Sequence, residues 1–227
     1  MKNLVILLVV IASMAKQTKA QTWVTIPDAN FVTYLQSIVS AAMSGNQLDT
    51  SSALVTTTTH SINVYNKNIA DLSGIQYFTS LTYLDCESNS LTSLPTLPNT
   101  LQSLYCYNNS LTNLPVLPNS LQSLQCGGNS LTSVPILPNA LLTLYCNGNN
   151  ITCFPTFPNS ITTLSIDPNS YNCLPNYISA MSAADLAVPL CAAGNTNGCA
   201  VTNTTGRNQL GVMNDELRIY PNPAKDV

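Results

Sequence analysis

Eight cysteines and a single histidine have the most scope for chemistry in this 227-residue chain, and spacing divides the cysteines into two sets. Cys86, Cys106, Cys126 and Cys146 recur every twenty residues. A zinc centre needs four ligands converging tetrahedrally at about 2.3 Å, whereas residues repeated along stacked strands lie in a line about 4.8 Å apart. Cysteine also behaves as a small buried hydrophobe, so this first set is expected to fill a core. Cys153, Cys173, Cys191 and Cys199 fall outside that pattern and, in an exported protein, invite disulfides. Cys153 and Cys173 share one position of successive repeats, while Cys191 and Cys199 bracket the loop AAGNTNG. The expected pairs are Cys153 with Cys173 and Cys191 with Cys199, and Cys173 with Cys191 is the rival. His60 stands in a Thr-rich stretch, no Ser or Cys nucleophile can be given a base, and the carboxylates are scattered. The expectation is no catalytic residue, no metal site and no cofactor.

What must position these residues is a repeat. From Leu81 to Ala180 the chain runs through LTYLDCESNSLTSLPTLPNT, LQSLYCYNNSLTNLPVLPNS, LQSLQCGGNSLTSVPILPNA, LLTLYCNGNNITCFPTFPNS and ITTLSIDPNSYNCLPNYISA. A strict period of this length marks a solenoid. Alternate residues of a strand share a face, so Leu104 and Cys106 point into the coil and Tyr105 and Tyr107 point outward. Asn89, Asn109, Asn129, Asn149 and Asn169 recur at one position, where an amide can bond the turn of its own coil and of the neighbouring one. Their expected role is structural. Paired prolines such as Pro115 and Pro118 hold the return segment extended in a polyproline-like path, which makes the convex side thin.

This LPxLPxxLxxLxxxxN form resembles the short leucine-rich repeats of secreted bacterial effectors of the YopM and IpaH type. The resemblance implies an α/β solenoid, a leucine-rich repeat coil with short parallel strands on its concave face. The ligase domain that follows the repeats in some of those effectors has no counterpart in the roughly 47 residues after Ala180. Ser61 to Ser80 resembles an internalin-type repeat, with Ile62, Val64, Ile69, Leu72, Ile75 and Phe78 inward and Lys67 where the ladder asparagine would stand.

Open solenoid ends need covers. The sequence divides into a signal peptide over 1–20, an N-terminal helical cap over 21–58 and leucine-rich repeats over 59–180. A C-terminal cap over 181–200, a linker over 201–213 and a final segment over 214–227 complete it. The first cap rests on Asp28 as a helix cap ahead of Phe31, Leu35, Ile38 and Ala42, the second on helical character from Ile178 to Ala187. The signal reading rests on Lys2, the apolar run Leu4 to Ala15 and cleavage after Ala20; Lys16 makes that run too short for a membrane anchor. LRIYPNPA, from Leu217 to Ala224, resembles the opening of the type IX secretion sorting domain of Bacteroidetes, truncated here.

Signal removal leaves four basic residues against ten acidic ones, a net charge near −6, which excludes a nucleic-acid partner. The five repeats from Leu81 to Ala180 carry only Asp85, Glu87 and Asp167 as charges. Function is therefore expected in the outward strand residues, Tyr83, Asp85, Glu87, Tyr105, Tyr107, Gln125, Tyr145 and Asn147. Tyrosine gives large contact area with a polar tip at little entropic cost. The expectation is a secreted or cell-surface monomer, not inserted in a membrane, binding a protein or glycan through its concave face. The alternatives are a structural or adhesive spacer, or accessory repeats of a longer secreted enzyme.

Overall fold

The computed structural model describes residues 21–191. The expected signal peptide, Cys199, the linker and the sorting-domain resemblance lie outside the described residues.

Six parallel strands form the body: β4 (Ser61–Asn63), β5 (Tyr83–Asp85), β6 (Ser103–Tyr105), β7 (Ser123–Gln125), β8 (Thr143–Tyr145) and β9 (Thr163–Ser165). They pair strictly in order, with Leu84 beside Leu104, Leu104 beside Leu124 and Leu124 beside Leu144. Register is fixed because a one-residue slip would turn each leucine outward. In one coil Leu101, Leu104, Cys106, Leu111, Leu114 and Leu117 are all buried, and the same positions of neighbouring coils join into one core from Ile26 to Met181. The six inward residues expected of the first coil, from Ile62 to Phe78, are each fully buried.

Each coil turns on its asparagine. Asn109 Nδ2 donates to the carbonyls of Cys86 (3.0 Å) and Cys106 (3.2 Å), and its Oδ1 accepts from Leu91 N (3.0 Å). Asn129, Asn149 and Asn169 repeat this scheme one coil further on. Asn89 Oδ1 accepts from both Lys67 N and Ile69 N, so it serves the coil that has Lys67 at the ladder position. Just ahead of this position the backbone is left-handed, at Ser88 (φ 54°), Asn108 (φ 53°) and Gly148 (φ 66°). Gly148 takes up this conformation without Cβ strain. A second ladder was not anticipated. Ser120 Oγ donates to Asn99 O and Leu101 O, Thr100 Oγ1 likewise to Thr79 O and Leu81 O, Ser160 Oγ to Leu141 O, and Ala140 interrupts the series.

The N-terminal cap is more than a helix. β1 (Trp23–Thr25), β2 (Met43–Ser44) and β3 (Gln47–Asp49) form an antiparallel sheet in the order β1-β3-β2, beside α1 (Ala29–Ile38). Asp28 caps α1 through Oδ1, accepting from Phe31 N (2.9 Å), and ties the cap to the first coil by accepting from Ala70 N on Oδ2 (2.8 Å). Phe31, Leu35 and Ala42 face inward as expected, but Ile38 is exposed and Val39 is buried in its place. The helix ends at Ile38, and the non-helical backbone of Val39 (φ −132°, ψ 41°) turns that side chain inward.

At the other end the expected ten-residue helix is a single turn, α2 (Ala183–Leu186), closed by a capping box between Ser182 and Asp185. The disulfide expectation is corrected here. Cys173 bonds Cys191, with Cα atoms 5.0 Å apart, and pairs with neither Cys153 nor Cys199. The reason is a parallel bridge between Leu174 and Leu190, in which Leu174 N donates to Pro189 O and Cys191 N to Leu174 O. This short segment covers the last coil and brings Cys191 to Cys173. Cys153 is also disulfide-bonded, and its backbone bridges Ser133 on the preceding coil.

Candidate functional site

Cys86, Cys106, Cys126 and Cys146 are all free and buried, each one residue beyond its strand on the inward side. Burial pushes Cys126 up to about 12 and raises Cys106 and Cys146 well above the ordinary thiol range. Cys86 is raised by burial first and then by the charges of Asp85 and Glu87. Its Sγ donates to Tyr105 O (3.3 Å). Protonated thiols of this kind are poor nucleophiles and poor metal ligands. Among the described residues no group of three or more His, Cys, Asp or Glu could hold a metal ion. Nor is any described helix long and apolar enough to cross a membrane.

The outward side of the same sheet is where residue identity changes from coil to coil. Parallel register lays its side chains in rows about 4.8 Å apart. One row runs Ser61, Tyr83, Ser103, Ser123, Thr143, Thr163, and the next Asn63, Asp85, Tyr105, Gln125, Tyr145, Ser165. A third row follows the strands: Asn66 N donates to Glu87 O, Ser88 N to Tyr107 O, Asn108 N to Gly127 O and Gly128 N to Asn147 O. That register places Tyr65, Glu87, Tyr107, Gly127 and Asn147 side by side.

Within this face Tyr83 and Tyr105 meet edge to face, with ring centroids 5.3 Å apart. Burial raises the Tyr83 phenol above its ordinary range, and the neighbouring Asp85 charge adds to the shift. Tyr107 lies against the backbone of the next coil. A Cβ on Gly127 would come within 2.4 Å of the ring, so glycine is what lets it settle there. Gln125 separates Tyr105 from Tyr145, and Asn147 stands one coil beyond Gly127.

Asp85 departs from expectation. Its strand position is outward, yet it is buried, because Oδ2 accepts from Asn63 Nδ2 (3.0 Å) and Oδ1 from Glu87 N (3.1 Å). It is fixed as part of the wall and not freely presented. Glu87 is partly exposed, and its carboxyl is raised by burial first and by the charge of Asp85 second. Tyr65 was missed in the sequence, although it is half exposed at 51 %. The signal that would have found it is alignment of Ile62 with Leu84, which sets Tyr65 opposite Glu87 despite the first coil's 22-residue length.

No protein-family model matches the sequence, and no curated protein does. Solved structures do match. The functional domain of InlJ from Listeria monocytogenes, which includes a cysteine ladder, is 27% identical with a TM-score of 0.51, over 70% of this chain and 40% of that one. The leucine-rich repeat domain of a Shigella effector is 35% identical with a TM-score of 0.50, over 52% of this chain and 54% of that one. YopM from Yersinia enterocolitica WA-314 is 33% identical with a TM-score of 0.44, and the match spans 45% of this chain and 23% of YopM. The chain thus spans about half or less of the length of these proteins. Its parallel-strand solenoid is that of bacterial leucine-rich repeat proteins.

Proposed function

We propose that this chain is an exported leucine-rich repeat module that recognises a protein ligand through the outward face of its parallel sheet. One observation carries the reading. The inward positions are filled almost identically in every coil, whereas the middle outward row changes from Asp85 to Tyr105, Gln125, Tyr145 and Ser165. A surface that merely tolerates exposure has no need of two tyrosines flanking a glutamine. Tyrosine and amide side chains are the adaptable vocabulary of recognition surfaces. Export is supported by the signal-like first twenty residues and by the disulfide, which persists in oxidising compartments. The leucine-rich repeat fold shared with InlJ agrees with a protein-interaction module. A glycan ligand is the alternative class, since the central coils offer aromatic, amide and hydroxyl groups without charge.

A second reading, a spacer within a longer surface protein, draws on the fact that the chain spans only 40% of InlJ. Arrays of extracellular-matrix proteins and of glycans, probed with the wild-type chain and a Tyr105→Ala, Tyr145→Ala double variant, separate the two. The binding reading expects a ligand that the double variant loses while its unfolding midpoint is retained. A folded double variant that keeps every interaction of the wild type leaves the spacer.

A further inference from the structure

Charge is almost absent from the sheet face, and where it occurs it is not balanced. Between residues 21 and 191 the only Lys or Arg is Lys67. Of the four acidic residues between 59 and 180, three have an oxygen engaged, Asp71 by accepting from Ser73 N. Asp85 accepts from Asn63 Nδ2 and Glu87 N, and Asp167 accepts from the Tyr171 hydroxyl at 2.7 Å. Glu87 differs. Its carboxylate meets no hydrogen-bond donor and no cation among the described residues, while the Asp85 charge beside it raises its proton affinity.

The surroundings of Glu87 are aromatic. Strand register puts Tyr65 on one side of it and Tyr107 on the other, each about 4.8 Å away along the row. The edge-to-face pair of Tyr83 and Tyr105 stands on the adjacent strands, next to Asp85. Tyr107 is braced on Gly127, so its ring is held in place before any ligand arrives. A carboxylate without a partner in a row that also carries two tyrosines favours a cation over a neutral or anionic group, because aromatic rings attract positive charge. A cation within about 6 Å of a ring centroid gains from the ring quadrupole, and a charge-assisted hydrogen bond to the carboxylate adds to it.

Building on the sheet-face reading above, we infer that the first coils receive an arginine or lysine side chain of the protein ligand, with Glu87 as counter-charge and Tyr65 and Tyr107 as walls. The planar guanidinium of arginine fits best, since it can stack on a ring and bond a carboxylate at once. Asp85 acts as a positioning residue: it holds the backbone of Glu87 and adds negative potential. The two uncharged coils that carry Gln125 and Tyr145 then contact the rest of the ligand.

The test titrates the full chain, labelled with nitrogen-15, with a synthetic decapeptide alternating arginine and serine and with its citrulline counterpart, which keeps the shape and loses the charge. The arginine peptide is expected to shift the amides of Glu87 and Tyr107 and to bind about tenfold tighter than the citrulline peptide, about 1.4 kcal/mol. That margin should shrink with added salt and vanish in Glu87→Gln. Tyr65→Ala, on an exposed ring, should narrow it without altering thermal unfolding. Equal affinity of the two peptides, or a margin unchanged in Glu87→Gln, overturns the inference. If both peptides bind the strand residues equally, the sheet-face reading survives; only retained array binding by the Tyr105→Ala, Tyr145→Ala variant removes that reading.

Discussion

The two faces of one sheet obey different rules. Inside, Leu84, Leu104, Leu124 and Leu144 stack in register, and Cys86, Cys106, Cys126 and Cys146 stack beside them. Outside, at the residue between each leucine and cysteine, the chain reads Asp85, Tyr105, Gln125 and Tyr145. Neighbours in sequence share strand and backbone hydrogen bonds, so local structure cannot account for the contrast. Packing density can: an inward site is bounded by the coils above and below, and a change of one methylene is felt there. An outward site is bounded on one side only. Constancy therefore marks the places where the fold is determined, and variation the places where it leaves choice.

Four substitutions or conditions press on this contrast, in falling order of expected effect. Alkaline pH attacks the inside most, since four thiols are raised there against the Tyr83 phenol outside. Folded thiols have pKa values above their unfolded ones, so their contribution is complete below the unfolded value near 8.5 and is lost as pH rises toward the folded value. With about 1.4 kcal/mol per thiol per pH unit, the four together should cost on the order of 5 kcal/mol between pH 9 and pH 10. Urea unfolding at the two pH values measures it, and Cys126→Val should remove about a quarter of the slope. Leu124→Ala should cost about 3 kcal/mol by urea unfolding, because the rigid coils on either side leave a cavity. Asn149→Ala should cost about 2 kcal/mol in the same assay, since it leaves the Cys126 and Cys146 carbonyls and Leu131 N without their buried partner. Ser88→Gly should stabilise by about 0.5 kcal/mol, by relieving a left-handed backbone at φ 54°. A loss of stability there would show that Ser88 contributes something other than its backbone.

The inside was legible in the sequence because each inward residue type recurs at a fixed interval and does one job. Asn109, Leu104 and Cys106 could each be assigned from spacing alone. The ends were harder, since capping segments follow no period. β1, β2 and β3 contain two or three residues each, too few to show alternation. Ile38 fitted a helical spacing that the backbone abandoned at Val39. Cys173 met Cys191 because a short bridging segment returned to Leu174, a contact with no local signature. On the outer face, direction was readable and environment was not. Asp85 was identified as outward, but the Asn63 amide that buries it comes from a coil of different length. Tyr65 was overlooked for the same reason.

If outward residues carry recognition as proposed and inward residues carry the fold, the two properties must separate in one variant. The most direct measurement is paired: urea unfolding and array binding of the Tyr105→Ala, Tyr145→Ala variant beside the wild type. The expected result is stability within about 1 kcal/mol of wild type, the loss of the Tyr83 edge contact included, together with loss of the ligand. A variant as stable as the wild type that binds the same ligand equally well would contradict it.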